Sequence, residues 1–433
     1  MVATIILSII GILGMLLCIF KIPNIKYKDH TIDTFYLPIL LVALIFLIFP
    51  LFDKSNLFNI LFSNSKLNPL KILALFISVS FISSVLDEAG FLSYIAIKFI
   101  NKFKASQYTL FFSLYFLISI LTIFTSNDIV ILTFTPFILY FAKRGNINPI
   151  PFLIMEFVAA NTYSMLLPIG NPTNVYLSSI YELDFISYVK KMILPTILIG
   201  ITSISILVLL FRNDLKKKIE VFDDKEVFMK NKLICIVSLS ILSLTTIFLV
   251  ISNYINLEMW VIALSFGIIL LTFIITYSLI KKNHLYVTLP LRRLPYSLIP
   301  FILSMFVIIM GLESYGVFVN ISELFEKITN ENLKEIVYLI SSTISCNLVN
   351  NIPMTIAFGS ILQNTENINL VYATIIGSNI GAILSPVGAL AGIMWLRILK
   401  QNNVDYGFLK FLKNGSIITL GLLIAGSIAL LII

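Results

Sequence analysis

Charge is what this 433-residue sequence has least of: Asp, Glu, Lys and Arg make up 12% of it, about half the share of an ordinary soluble chain. That shortage excludes a soluble enzyme, and a hydrophobic content of 58% excludes a disordered chain. Cysteine is nearly missing. Cys18, Cys235 and Cys346 lie far apart in apolar stretches with no CxxC pair, which excludes a disulfide scaffold and reads them as small core residues. The two histidines, His30 and His284, fall in loops, which excludes a histidine proton relay. No GxxxxGKS/T loop is present, so the chain does not hydrolyse ATP by itself. Intramembrane proteolysis needs a Ser–His pair or two aspartates on facing helices, and the sequence supplies neither. The net charge of +8 is spread over short loops, unlike the single basic face of a nucleic-acid binder.

What is present is apolar length. A spanning helix needs about 20 apolar residues, within a range of about 17–25. Segments 1–20, 37–52, 70–86, 187–211, 232–252, 258–280, 297–312 and 414–433 come near or meet that length. The first lacks a basic leader region and reads as a retained helix. Four other segments are interrupted. Residues 107–124 run into the polar knot Thr125, Ser126, Asn127, Asp128 before 129–142 turns apolar again. Residues 335–345 run into Asn347, Asn350 and Asn351, and then continue only to Leu362. An arm of about 12 residues is about 18 Å long, too short for a core of about 30 Å, so a re-entrant hairpin is expected at both places. Residues 150–181 and 369–400 each read as one helix broken in the middle, at 167–174 and 384–389. Non-helical backbone at that depth is tolerated only where it is buried in protein or lines a cavity.

The two halves repeat one another. Without gaps, 160–174 lies on 378–392, matching Asn161 with Asn379, Pro168 with Pro386 and Gly170 with Gly388. Upstream, Asn127 lies on Asn351, while Asp87 and Gly90 lie on Glu313 and Gly316. Repetition with interrupted helices in corresponding places is the sequence pointer to a secondary transporter. Five crossings and one hairpin per half turn the second repeat upside down. With the connector 212–231 in the cytoplasm, the inner segments carry 23 Lys and Arg against 7 outside, as the positive-inside rule asks. The expected architecture is therefore an all-α polytopic membrane protein of two inverted repeats, 1–211 and 232–433, each with five crossings, one re-entrant hairpin and one broken helix. Both termini are then external.

The polar residues at these interruptions are the candidate site. Asn127 and Asn351 suit the N-caps of the second hairpin arms, and capping and ligand binding are compatible there. Pro172 and Pro386 enforce the breaks, while Asn171, Thr173, Asn174 and Ser385 offer side-chain oxygens; a proline kink without a ligand is the plainer reading of either break alone. Asn161 and Asn379, at matched positions before the breaks, complete the substrate-binding set Asn127, Asn161, Thr173, Asn174, Asn351, Asn379 and Ser385. Two carboxylates stand inside apolar segments. Asp128 has Ile352 as its counterpart, and Glu156 lies within an apolar helix. Such groups are expensive in a bilayer, so a coupling role is the default, with Ser126 and Asn350 beside them as further coupling-ion ligands. The alternative for Glu156 is a neutral carboxyl bonded to a neighbouring helix. Asp87, Glu88 and Glu313 fall at helix ends and read as solvated caps.

At these residues the chain resembles the arsenical-pump membrane proteins (ArsB/NhaD type) of the ion transporter superfamily, relatives of citrate- and dicarboxylate-transporter-like permeases. The resemblance rests on Leu86-Asp87-Glu88-Ala89-Gly90-Phe91, Ser126-Asn127-Asp128 with Thr135-Pro136, and Ala160-Asn161-Thr162. In the second half it rests on Asn350-Asn351-Ile352-Pro353, Gly377-Ser378-Asn379-Ile380-Gly381 and Ser385-Pro386-Val387-Gly388-Ala389-Leu390-Ala391 before Trp395. It implies ion-gradient-driven transport by two inverted repeats. The arsenite pumps typically carry Asp where Asn379 stands and Gly-Pro-Lys where Gly381-Ala382-Ile383 stands. The first break reads Gly-Asn-Pro-Thr-Asn, closer to the anion and citrate relatives. The expected function is thus a secondary active transporter of the plasma or inner membrane, and not an enzyme. It is read first as an arsenite or antimonite efflux permease, and alternatively as a Na⁺- or H⁺-coupled transporter of a small anion such as citrate or a dicarboxylate. An ion channel is the alternative from another class. No cofactor is expected beyond Na⁺ or H⁺ as coupling ion. The expected partners are the small ion substrate and membrane lipid; the resemblance admits a separate ATPase subunit and a homodimer.

Overall fold

A computed structural model describes residues 1–22, 24–27, 30–49, 68–103, 106–219, 230–252, 255, 257–363, 365–404 and 406–433. Residues 53–67 of the predicted outer loop 53–71 and 220–229 of the connector 212–231 lie outside them. The fold is all-α, with one short antiparallel hairpin, Asn24–Tyr27 with His30–Asp33.

The first half contains α1 (Val2–Lys21), α2 (Tyr36–Ile48), α3 (Pro69–Glu88), α4 (Phe91–Phe103), α5 (Gln107–Phe124) and α6 (Asn127–Arg144). It continues through α7 (Ile150–Tyr163), a 3₁₀ turn at Pro168–Gly170, α8 (Pro172–Ile180) and α9 (Phe185–Leu215). The second half contains α10 (Lys232–Val250), α11 (Met259–Ile280), α12 (Leu285–Arg292), α13 (Leu298–Glu313), α14 (Val317–Glu326), α15 (Glu331–Val349) and α16 (Asn351–Ile361). It ends with α17 (Ile368–Leu384), a 3₁₀ turn at Pro386–Gly388, α18 (Leu390–Gln401) and α19 (Phe408–Leu430). Among the described residues, seven helices are long and apolar enough to cross a membrane. Helices α13 and α14, bent by 72° between them, pass the same test only when taken together.

Several helix packings recur between the halves, although the β-hairpin of the first half and α12 of the second have no counterpart among the described residues. Helix α3 packs on α11 as α13 packs on α2; α5 on α7 as α15 on α17; α7 on α9 as α17 on α19; α6 on α18 as α16 on α8. Helices α9 and α19 meet each other. The halves therefore interleave, and neither stands as a separate body. Two bundles result. One holds α1–α3 and α10–α13, with a hydrophobic core of its own among α3, α10 and α11 that includes Phe81, Ile82, Leu242 and Leu270. The other holds α5–α9 and α15–α19 with both breaks. Helices α4 and α14 link them in sequence.

Local chemistry explains the element ends. Asn68, Ser106, Asn171, Asn231, Asn330 and Asn367 each accept a backbone N–H at a helix start. The chain's lysines and arginines then sort by end. Helix α3 has Lys71 at one end, paired with Glu258 at 2.8 Å, and Asp87 and Glu88 at the other, paired with Arg293. Lys230 joins Glu88 at that second end, 3.6 Å away.

In the bundle with the breaks, α15 and α17 approach so closely that only glycine fits between them. A Cβ on Gly377 would stand 2.6 Å from the Leu339 carbonyl oxygen, and one on Gly381 would stand 2.8 Å from that of Thr343. Both obstacles are backbone, which cannot swing aside. Gly377→Ala should therefore cost about 1–3 kcal/mol as overpacking. Thermal unfolding of the detergent-purified protein measures this; an unchanged midpoint would show that the two helices separate freely.

Candidate functional site

The first interruption is open. Helix α5 ends at Phe124, Thr125 and Ser126 are extended, and α6 starts at Asn127. The cap position thus belongs to Ser126, one residue before the Asn127 expected there, and the Ser126 side chain caps nothing. Its buried hydroxyl makes no hydrogen bond among the described residues. Asn127 instead uses its amide NH₂ to donate to Asn161 Oδ1 on α7 at 3.1 Å, while its own buried Oδ1 accepts nothing. Asn161 donates in turn to the Phe157 carbonyl at 2.8 Å. Thr122 on α5 and Thr162 on α7 also have buried hydroxyls without partners among the described residues. Such groups are rare in folded proteins, and their gathering around this tip makes it the candidate site.

The second interruption is closed by hydrogen bonds. Here the cap is Asn350, at φ 75° and ψ 155°, a conformation that residues other than glycine rarely adopt, and Asn351 is the first residue of α16. Asn350 donates to the Val387 carbonyl at 2.9 Å, and Ser385 donates to Asn347 Oδ1 at 2.6 Å. Asn347 bonds the Gly381 carbonyl at 2.9 Å. Tip and break are stapled together, with Asn350 and Ser385 both engaged. The Asn351 side chain is buried and makes no hydrogen bond among the described residues.

The two broken helices meet in a polar seam. Ser164 and Asn171 donate to Asn379 Oδ1 at 3.0 and 3.1 Å. Asn379 donates to Asn174 Oδ1 at 2.8 Å, and Asn174 donates to the Ser164 carbonyl at 2.9 Å. Ser378 reaches Thr173 Oγ1 at 3.0 Å. Thr173, Asn174 and Asn379 were expected around a substrate; here they bond one another across the halves. Ser164 and Ser378 went unsingled in the sequence, although Ser378 adjoins Asn379 in a matched motif. The breaks share one backbone course: an extended residue, a Pro-x-Gly 3₁₀ turn, and a second extended residue. Pro168 is therefore the counterpart of Pro386, while Pro172 opens α8 as a favourable first-turn proline.

A cavity of about 900 Å³ leads to the open tip. Ser126 and Asp128 line it, as do Leu132 and Thr133 of α6, Leu390 and Ile393 of α18, and Arg292 and Arg293 toward the charged end. Asp128 makes no hydrogen bond or ion pair with any described residue. Glu156 lies elsewhere. It accepts from Thr135 Oγ1 of α6 at 3.0 Å. Asp87 is buried rather than a solvated cap: Arg293 pairs with it, and Thr133 Oγ1 donates to its Oδ2 at 2.9 Å. That pairing joins residues 206 apart, which no local pattern announces. Among the described residues, no three His, Cys, Asp or Glu side chains converge as a metal site.

Residues 1–372 match the family described as CitMHS, citrate transporter. The arsenical pump membrane protein of Yersinia enterocolitica is 25% identical over 374 residues, covering 81% of this chain and 83% of that protein. A putative arsenical pump membrane protein of Bacillus subtilis is 25% identical over 361 residues, covering 77% and 80%. An uncharacterized transporter of Methanocaldococcus jannaschii is 26% identical over 394 residues, covering 89% and 95%. The crystal structure of the Alcanivorax borkumensis YdaH transporter shares the fold, with a TM-score of 0.57 at 14% identity, covering 99% of this chain and 97% of that one.

The seam makes Asn379 a structural keystone. Asn379→Ala strands Asn171 and Asn174 at once, while Ser164 keeps the Asn161 carbonyl, and should cost about 2–3 kcal/mol, whereas Asn161→Ala strands Asn127 alone and should cost about 1 kcal/mol. Thermal unfolding of both variants measures the difference; equal losses would dissolve the distinction.

Proposed function

Because the chain belongs to the citrate-transporter family, whose members are integral plasma-membrane transporters of small ions, we propose that it is an ion-gradient-coupled secondary transporter with Asp128 as its coupling carboxylate. The observation that carries this is Asp128 itself, a carboxylate without a partner at the head of a large cavity, beside the unmet oxygens of Ser126 and Asn127. A carboxylate kept so deep without a cation is poised to take a proton or Na⁺. Ser126 and Asn127 supply the neutral oxygens that a hard monovalent cation prefers, close to the first turn of α6.

The substrate is best read as arsenite or antimonite, moved outward. Relatives are named arsenical pump membrane proteins, and trivalent arsenic is an uncharged hydroxide near neutral pH. A neutral solute can approach Asp128 without repulsion. The second reading, a citrate- or dicarboxylate-type anion, is favoured by the family description and by Arg292 and Arg293 at the cavity mouth. A multivalent anion beside Asp128 needs that carboxylate neutralised first, so co-transport of the coupling ion is obligatory in that case.

Alternating access would follow from movement of the bundle with the interruptions against α1–α3 and α10–α13, the halves being related by a two-fold axis in the membrane plane. The exchanged packing of α3 on α11 and α13 on α2 supports this, as does the sorting of ion pairs. The segments assigned to the cytoplasm by charge meet each other: Lys230 and Arg293 gather at Glu88, and the Tyr108 hydroxyl reaches the Arg212 carbonyl. On this reading both interruptions are re-entrant hairpins, and the cavity opens inward.

Asp128→Asn should fold normally and abolish gradient-driven flux. Arsenite accumulation in everted, energised vesicles tests this against wild type and empty vector. Accumulation that collapses with the proton gradient and in the variant supports the reading. No signal from well-expressed wild type moves the substrate to the anion, tested by Na⁺- or H⁺-driven citrate uptake, and full flux in Asp128→Asn removes Asp128 from the mechanism.

A further inference from the structure

We propose that Asp87 is a positioning residue that latches the hairpin arm α6 to the opposite bundle and thereby holds the cavity open at its charged end. This rests on the moving-bundle reading above. The geometry is a chain of three contacts. Arg293 places its guanidinium across both Asp87 and Glu88, all three belonging to the bundle of α1–α3 and α10–α13. The Ser84 hydroxyl donates to the Pro290 carbonyl at 3.0 Å, tying the end of α3 to the segment that carries Arg293. Asp87 is thus rigidly held on one side, and its Oδ2 accepts from Thr133, which belongs to the other bundle, at 2.9 Å.

The bond acts on the right element. Thr133 lies five residues after Asp128 on α6, a rise of about 7.5 Å, and Asp87, Asp128 and Thr133 all line the same cavity. Sliding α6 along α3 by even half that distance breaks the hydroxyl–carboxylate bond, which belongs to the stronger, charge-assisted kind. The bond is therefore made in this conformation and lost in the other. The matched positions in the second half argue the same way. Glu313 stands for Asp87, but the counterpart of Thr133 is Ala357, which has no hydroxyl, and Glu313 makes no hydrogen bond among the described residues. A latch at one end and none at the matched place biases the two-state equilibrium toward the state with the bond.

The test reads the rarer state directly. Ile356 is the counterpart of cavity-lining Leu132 and is buried here, so on this reading Ile356→Cys reacts only when the cavity opens at the other end. In vesicles containing full-length protein with Cys18, Cys235 and Cys346 replaced, a membrane-impermeant maleimide is applied to the side opposite Arg293. Thr133→Val should raise the labelling rate about tenfold, and Thr133→Ser should keep the parent rate. Thr133→Val leaves the Asp87–Arg293 pair intact, and size-exclusion profiles verify that each variant is folded. Labelling that responds to an imposed H⁺ or Na⁺ gradient yet is the same in Thr133→Val and its parent overturns the latch alone. No labelling of Ile356→Cys under any gradient overturns the moving-bundle reading and the latch with it.

Discussion

Everything in this structure answers to the absence of water around its backbone. In hydrocarbon, an N–H or C=O left without a partner costs several kcal/mol, so a helix may break only where protein supplies substitutes. The first break ends one helix and starts the next across residues 164–171, and the second does so across 385–389. Side-chain amides do most of the replacing. Asn174 takes the Ser164 carbonyl, Asn347 takes that of Gly381, and Asn350 takes that of Val387. Asparagine suits this work because its amide both donates and accepts, without a charge to desolvate. The polar groups of the candidate site and those that let the helices break are therefore the same kind of residue, and they differ in whether their hydrogen bonds are met.

On that criterion the matched halves have different tasks. The second tip is tied to its break at two points, and its cap donates as well as accepts. The first tip leaves Ser126 and one face of Asn127 unmet and adds Asp128, where the second has Ile352. The cavity reaches the tip with the unmet groups.

The outline was legible in the sequence because it depends on short-range facts: apolar run length, the placement of Pro and Gly, and repetition of Asn127 as Asn351 and of Asn161 as Asn379. What was not legible depends on which residues meet across about two hundred positions. Nothing near Asp87 says that Arg293 and Thr133 will bury it, and nothing near Asn379 says that it will bond Ser164 rather than a solute. The caps fell one residue early, at Ser126 and Asn350, because either of two adjacent polar residues satisfies the sequence rule and only backbone geometry chooses. Glu156 carried two readings, and its contact with Thr135 favours the bonded one.

The left-handed glycines Gly90 and Gly316 close α3 and α13, each three residues after an acid, and turn the chain into α4 and α14. At Gly316 a Cβ would meet nothing within 4 Å, so glycine is held there by its backbone angle and not by crowding. A side chain there would be refused by the backbone and not by its neighbours, so this corner is a place where one residue's freedom, and no packing, lets a helix end and the chain change direction.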